Sequence, residues 1–208
     1  MLRFLWFFGL NILFIGFAAA QPIDLDTADT TKTATVKTPK ILFDFNQPTL
    51  DSATAWTVFT DQTMGGASQA EVNILPLNVP NGGMADFVGE LSLDNGGGIA
   101  AIISPMLTDT LQQYKGLIIR LKGDGRSYIV ALQPDIISAV PQHLEYKFKT
   151  VANEWQEVKI PFSAMYMSFF DTLIANKKIN LSHVHYLSII NAYQEGSFDL
   201  KIDEVSLF

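Results

Sequence analysis

Residues 116–133 read GLIIRLKGDGRSYIVALQ, and this stretch gives the clearest indication of the fold. Two runs rich in Ile, Val, Leu and Tyr flank the segment Lys122-Gly123-Asp124-Gly125-Arg126. Asp-Gly between such runs is a strong hairpin signal, because both residues tolerate positive φ. The stretch therefore predicts two strands joined by a tight turn, and a turn fully accounts for the five residues between them.

Short β-rich segments continue in both directions from this turn. Residues 144–149, LEYKFK, alternate between apolar and charged side chains, which is the period of a half-buried strand. Helical patterns are scarce: residues 108–114 suit one or two turns, and residues 163–174 suit a short helix or a packed loop. Many short strands at regular spacing predict an all-β sandwich or barrel. We expect an antiparallel β-sandwich of two stacked sheets. The segments are ILFDFN, WTVF, MADFVGELSL, GIAAIIS, GLIIRLKG, SYIVALQP, LEYKFKT, WQEVKIPF, VHYLSIIN and FDLKIDEVSLF.

Composition narrows the range of functions. Hydrophobic residues make up 48% of the 208-residue chain and charged residues 17%, which is enough apolar surface for a folded core. The net charge is -7, so the chain lacks the excess of Lys and Arg that neutralises phosphates in nucleic-acid-binding proteins. We therefore do not expect nucleic acid as a partner. Cysteine is absent, which excludes disulfides, thiolate nucleophiles and cysteine-ligated metals.

The first 20 residues, MLRFLWFFGLNILFIGFAAA, have the features of a signal peptide. Arg3 precedes an apolar run that ends in three alanines, the small residues that signal peptidase accepts. The alternative is an uncleaved anchor, but the run is short for a spanning helix. Residues 21–39 predict a flexible linker, with a peripheral strand as the alternative, and residues 40–208 the folded domain. We expect a periplasmic or secreted protein without stable membrane insertion after cleavage.

Two glycine-bearing loops are the main candidates for a contact surface. In residues 61–68, DQTMGGAS, adjacent glycines free the backbone to present N–H groups to an anion or a carbonyl. In residues 91–98, LSLDNGGG, polar side chains sit at the end of a strand. Tight structural turns are the favoured explanation of both loops, because glycine pairs mark turns more often than ligand sites and Asp and Asn can cap a turn themselves. The candidate residues are Asp61, Met64, Gly65, Gly66, Ser68, Ser92, Asp94, Asn95, Gly97 and Gly98.

The sequence contains no catalytic or metal motif. GxSxG, HExxH and dinucleotide-binding patterns are all missing. His183 and His185 would share one face of a strand, yet further ligands are not visible, so we expect structural or solvated histidines. Asp44 and Asp203, near the first and last strands, leave a structural calcium ion as an open alternative. We predict no cofactor and no metal.

The same residues, in order, resemble the complex I intermediate-associated protein 30 family over about residues 41–208. The resemblance implies a galactose-binding-like jelly-roll sandwich that is also similar to carbohydrate-binding modules. It further implies an assembly role, because mitochondrial members are complex I assembly chaperones, and it supplies no catalytic residues. The motifs that carry it are Phe43-Asp44-Phe45, Trp56, Asp61, Met64-Gly65-Gly66, Ser68, Phe87, Gly89, Leu91-Ser92-Leu93, Asn95, Gly97-Gly98, Gly123-Asp124-Gly125-Arg126, Tyr128, Trp155, Ile160-Pro161-Phe162 and Phe198-Asp199-Leu200-Lys201-Ile202-Asp203.

These observations favour a non-catalytic binding or assembly-chaperone domain. Its expected partners are the subunits of a protein complex or a glycan, and Tyr128, Tyr146 and Trp155 are candidate aromatic platforms for a sugar, with core packing as the alternative role. A carbohydrate-binding module is a second possibility. A hydrolase that uses Asp61 and Asp94 is a third, if the two loops converge.

Overall fold

The computed structural model describes residues 39–46, 55–75, 83–134, 142–169, 172–174 and 180–208. Its regular elements are β-strands and short 3₁₀ turns. The 3₁₀ turns are Asp61–Met64, Asp94–Gly96, Leu111–Gln113, Phe162–Ala164 and Leu181–His183. The strands are β1 (Lys40–Asp44), β2 (Thr57–Thr60), β3 (Gln69–Leu75), β4 (Met84–Leu91), β5 (Ile99–Ile103), β6 (Gly116–Lys122), β7 (Ser127–Gln133), β8 (Gln142–Lys149), β9 (Trp155–Pro161), β10 (Tyr166–Phe169), β11 (Thr172–Leu173), β12 (Tyr186–Ala192) and β13 (Gly196–Leu207).

The strands form two antiparallel sheets. Sheet 1 has the order β3-β4-β13-β6-β9, and β1 pairs with the last residues of β13 beyond the end of β4. Sheet 2 has the order β11-β10-β8-β7-β12-β5-β2. β13 is the central strand of sheet 1, since it pairs with β4 on one side and β6 on the other. The prediction of an all-β antiparallel sandwich is confirmed.

The apolar residues of the two facing surfaces make one continuous core. Sheet 1 contributes Phe87, Ile119 and Leu200, and sheet 2 contributes Ile102 and Val130, all fully buried. Burying a side chain of this size contributes about 1.5–3 kcal/mol, so this inner layer supplies most of the driving force for folding.

The turn at residues 122–126 is present, but it does not close a hairpin. β6 pairs with β13 and β9 in sheet 1, whereas β7 pairs with β8 and β12 in sheet 2. The segment therefore crosses from one sheet to the other. Asp124 holds the crossing, because its carboxylate accepts hydrogen bonds from Arg126 N (2.9 Å), Tyr128 Oη (3.1 Å) and Asp199 N (3.0 Å).

The two predictions of helical structure have different outcomes. The single 3₁₀ turn Leu111–Gln113 lies within residues 108–114, as expected. The expectation of a helix or loop over residues 163–174 is wrong for residues 166–169 and 172–173, which form β10 and β11 at the edge of sheet 2. β8 offers an open edge there, and pairing with it satisfies the backbone hydrogen bonds of residues 166–169.

The predicted leader and nearly all of the predicted linker lie outside the described residues. Among the described residues, no helix has the length and apolar character to cross a membrane.

Candidate functional site

The two glycine-bearing loops meet around one buried carboxylate, that of Asp61. Asp61 begins the 3₁₀ turn after β2 and is only 2% exposed. Its Oδ1 accepts a hydrogen bond from Ser68 N (3.0 Å), and its Oδ2 accepts from Ser68 Oγ (2.7 Å), Gly98 N (2.5 Å) and Ile99 N (2.9 Å). One side chain thus joins both ends of its own loop to the start of β5.

The charge of Asp61 is stabilised by these contacts. Burial by itself raises the pKa of the carboxyl group, but the hydrogen bonds from Ser68, Ile99 and Gly98 outweigh it and hold the pKa below its ordinary value. Asp61 is therefore an ionised acceptor that four donors of the protein already contact. A carboxylate that is buried in this way organises the backbone around it.

Two glycines are required because their Cα atoms approach this carboxylate closely. A Cβ atom on Gly66 would lie 2.3 Å from Asp61 Oδ1, and one on Gly97 would lie 2.7 Å from Oδ2. Both distances are far below van der Waals contact. The glycine pairs thus serve the packing of the two loops around Asp61, which is the architectural alternative stated for them above.

Further hydrogen bonds connect the loops directly. Ser68 Oγ, whose single proton is donated to Asp61, accepts a hydrogen bond from Ser92 N at 3.2 Å. Asn95 Nδ2 donates to the carbonyl of Gly65 at 3.1 Å. Asp94 points outward and is exposed. The hydrolase hypothesis fails on this geometry, because an acid–base pair needs two carboxylates free to act on one substrate.

A third loop, which lies outside the motifs described above, joins this assembly. Residues 193–195 connect β12 to β13, and Tyr193 N donates to the carbonyl of Gly98 at 2.7 Å. Tyr193 has a φ of 58°, and the other described non-glycine residues with positive φ are both asparagines. A bulky residue with a positive φ is strained by about 1–3 kcal/mol. This backbone conformation persists only where the surrounding contacts hold it in place.

Arg126 and Gln194 hold the strained loop in place. The Arg126 guanidinium donates to the carbonyl of Gln194 and, at 2.8 Å, to that of Glu195. The Gln194 side chain accepts from Ser127 N at 3.0 Å and donates to the carbonyl of Ser127 at 2.6 Å. The turn that crosses between the sheets therefore also fixes the backbone of Tyr193.

The three loops present apolar side chains to solvent. Met64 is 64% exposed, Leu93 45% and Tyr193 53%. The loops are contiguous, because a Cβ on Gly98 would lie within 4 Å of both the Leu93 side chain and the Tyr193 backbone, and Asn95 bonds the residue after Met64. We call these three residues the loop patch. Contiguous exposed apolar patches mark contact surfaces, which makes these three residues candidates for contact with another molecule.

Residues 43–202, well over half of the chain, match the family model described as Complex I intermediate-associated protein 30. The chain belongs to this family. A curated Drosophila melanogaster protein named "Complex I intermediate-associated protein 30, mitochondrial" is 27% identical over 190 residues, which cover 80% of this chain and 62% of the relative. The chain thus spans less than two thirds of that relative's length.

Solved structures of low sequence identity share the fold of this family member. A family 11 carbohydrate-binding module from Clostridium thermocellum, in complex with a mixed-linked tetrasaccharide, matches with a TM-score of 0.60 and 15% identity over 82% of this chain and 95% of that chain. A family 30 module from a C. thermocellum cellulase matches with a TM-score of 0.51 and 16% identity, over 82% and 96% of the two chains. These similarities confirm the β-sandwich.

The three predicted aromatic platforms do not form one surface in this family member. Tyr128 is fully buried, and its hydroxyl binds Asp124, so its assignment as a platform is wrong. Tyr146 is partly buried and packs against the core. Trp155 is 43% exposed, but it lies on sheet 1 with the Arg120 guanidinium 5.3 Å from its ring centre. The platform predictions mistook two inward-facing rings for outward-facing ones.

The histidine and acid candidates of the sequence also have local partners. His183 ends a 3₁₀ turn rather than lying in a strand, and its ring bonds Asn180 at 3.0 Å. The His185 ring lies 2.9 Å from the carbonyl of Pro134. Asp203 pairs with Arg120, and Asp44 accepts from Asn46 N at 2.9 Å. Within the described ranges, no three potential His, Asp or Glu ligands gather into a metal site.

Proposed function

We propose that this family member is a non-catalytic assembly factor that binds a protein partner through the loop patch, outside the cytoplasm. The observation that carries the proposal is the position of Met64, Leu93 and Tyr193, which are exposed on three loops fixed by Asp61 and Arg126. Preorganised loops lose little conformational entropy on binding, so apolar contacts there contribute their full value to affinity.

The charges beside the loop patch define the partner further. Asp94 and Glu195 are exposed next to Leu93 and Tyr193, and the chain as a whole carries a net charge of -7. An apolar patch with an acidic rim suits an apolar surface flanked by Lys or Arg. The name of the mitochondrial relative refers to an intermediate of complex I, and by analogy we propose an unfinished subunit of a membrane complex as the partner. The leader-like residues 1–20 and the lack of cysteine support a periplasmic location.

Site-specific crosslinking in cells tests this proposal. A photoreactive phenylalanine analogue at position 93 should give adducts with subunits of one membrane complex, and the same analogue at Glu157, exposed on sheet 1, should not. Met64→Ser should reduce the adducts, whereas Met106→Ser should leave them unchanged. Met106 is a matched control because it is 61% exposed and follows β5, while Met64 belongs to the loops before β5. Equal adducts from both positions, or none with any membrane-complex subunit, would refute the proposal.

A further inference from the structure

β2 and β3 are edge strands of the two sheets, and residues of both line one groove on the side of the sandwich. In the described part of the chain, β2 pairs only with β5, and β3 pairs only with β4. An edge strand presents a row of N–H and C=O groups without a strand partner, and such a row can pair with the backbone of another chain.

The other edges of the two sheets carry the features by which proteins block such pairing. β1 begins with Lys40 and has a register shift against β13. β9 contains the exposed Lys159 and ends in Pro161, and the half of β8 that extends beyond β10 contains Lys147 and Lys149. β11 has only two residues. Lysine, proline, bulges and short strands all disfavour edge-to-edge pairing.

β2 and β3 have none of these features over most of their length. β2 reads TVFT and has no charged residue, and β3 reads QAEVNIL with Glu71 as its only charge. The four residues of β2 and the seven of β3 pair with their one neighbour without a register shift. Glu71 points away from the core, because its neighbours Ala70 and Val72 pack against the core. A regular edge of seven residues without Lys, Pro or a bulge is open to a further strand.

The groove between the two edges can accept the side chains of such a strand. Its volume is about 470 Å³, within the range of about 300–1,000 Å³ that is typical of ligand pockets. Val58 and Ala70 line it, and both pack against the core but are only partly buried. The exposed residues Gln62, Thr63 and Gln69 also line it. We call the space lined by these five residues the edge groove.

Charge favours a partner protein over a second copy of this chain as the occupant. Glu71 is exposed on the outward face of β3, and the exposed Glu90 lies opposite Gln69 on β4. A second copy would bring the same acidic edge and a net charge of -7. A segment that contains Lys or Arg complements these carboxylates, because opposite charges on neighbouring strands attract each other.

We propose that an extended segment of the partner protein pairs with β3 as an added strand of sheet 1. Its backbone exchanges hydrogen bonds with the open edge of β3, and its alternate apolar side chains enter the edge groove against Val58 and Ala70. The side chains between them include a Lys or Arg beside Glu71. The edge groove adjoins the loop patch, since Thr63 in its wall precedes Met64. This inference rests on the proposed function, because the segment belongs to the partner that the loop patch binds.

Titration of the full protein, uniformly labelled with ¹⁵N, with a synthetic peptide tests the pairing. The probe is Lys-Val-Thr-Val-Lys-Val-Thr-Val, blocked at both ends. We expect saturable shifts and slower hydrogen exchange of the amides of β3. A control peptide with N-methyl groups on all its amides keeps the side chains but has no N–H donor, and it should not bind. Equal binding of the control, or the absence of shifts in β3 with the parent peptide, would overturn the proposal.

Matched variants then assign the edge. Glu71 and Glu157 are both exposed on edge strands of sheet 1, but they lie on its opposite edges. Glu71→Lys should weaken binding of the peptide about 5-fold or more, and Glu157→Lys should leave it unchanged. Equal effects of the two variants, with folding verified by the amide spectrum, would refute the assignment to β3. A parent protein that is dimeric in light scattering and becomes monomeric as Glu71→Lys would assign the edge to a second copy and refute the proposal.

Crosslinking in cells separates this inference from the proposed function. A photoreactive phenylalanine analogue at Asn73, which is exposed on β3, should give adducts with the same partner as the analogue at position 93. Adducts from position 93 without adducts from position 73 would refute the added strand and leave the proposed function intact. The absence of adducts from both positions would refute both.

Discussion

Replacing Asp61 by Asn should reveal how much the buried carboxylate contributes to stability. The side chain accepts four hydrogen bonds, three of them at Oδ2 and one at Oδ1. An Asn side chain does least damage when its oxygen takes the Oδ2 position, because its amide group then faces only Ser68 N. One donor loses its acceptor even in this best case, and the other three bonds lose the contribution of the negative charge.

The magnitude follows from these four bonds. An orphaned buried donor costs about 2 kcal/mol, and each of the three bonds weakens by about 1 kcal/mol when its acceptor becomes neutral. The free energy of unfolding should therefore fall by about 5 kcal/mol, at the upper end of the range of about 3–5 kcal/mol found when one partner of a buried charge pair is removed. With a urea slope of about 2 kcal/mol/M for a domain of this size, the midpoint should move down by about 2.5 M.

Urea titration followed by tryptophan fluorescence measures this shift, because Trp56 is buried in the core. Asp94→Asn is the matched control: it makes the same chemical change on an exposed carboxylate of the adjoining loop, and it should alter stability by less than about 0.5 kcal/mol. If Asp61→Asn costs less than about 1 kcal/mol, or no more than the control, the carboxylate does not organise the loops as described.

Three further outcomes follow from the same contacts. Below the ordinary carboxyl pKa of about 4, the parent protein should lose stability as the pH falls, because the pKa of Asp61 is lowered by folding; acid titration of Asp61→Asn should lack this component. Gly97→Ala should destabilise the fold by about 2 kcal/mol or more in thermal unfolding, because the added Cβ clashes with Asp61. Gly96→Ala should cost less, because its Cβ meets open space and only the positive φ opposes the substitution. A larger loss of stability in Gly96→Ala than in Gly97→Ala would contradict the packing argument. Arg126→Ala should speed amide hydrogen exchange in residues 193–195 at least tenfold, whereas unchanged exchange would show that Gln194 alone holds this loop.

Local patterns in the sequence were sufficient to predict the fold class. Alternation in residues 144–149 correctly indicates β8, and the glycine-rich segments correctly mark the ends of strands. The pairing of strands was less predictable, because a turn signal does not specify which partners the flanking strands choose. β6 pairs with β9 and β13, and β7 pairs with β8 and β12, so the two strands that flank the turn do not pair with each other.

The candidate site was predicted only in part. The residues of the two glycine-bearing loops were identified, but the role of Asp61 depends on N–H groups 37 and 38 residues away, which no local motif reveals. The strained conformation of Tyr193 likewise depends on Arg126, which contacts its loop from 68 and 69 residues away. Tyr128 was misassigned because both faces of β7 are apolar, so the period of the strand gives no indication of which side chains face the core.

The position of β13 has a consequence for synthesis of the protein on the ribosome. β13 follows the other strands in sequence, yet it alone joins β4 to β6 in sheet 1. Until it emerges from the exit tunnel, β3–β4 and β6–β9 can form only separate two-stranded ladders, which are marginal in water. The nascent chain therefore exposes the open edges of β4 and β6 until β13 has emerged, and sheet 1 closes only in that step.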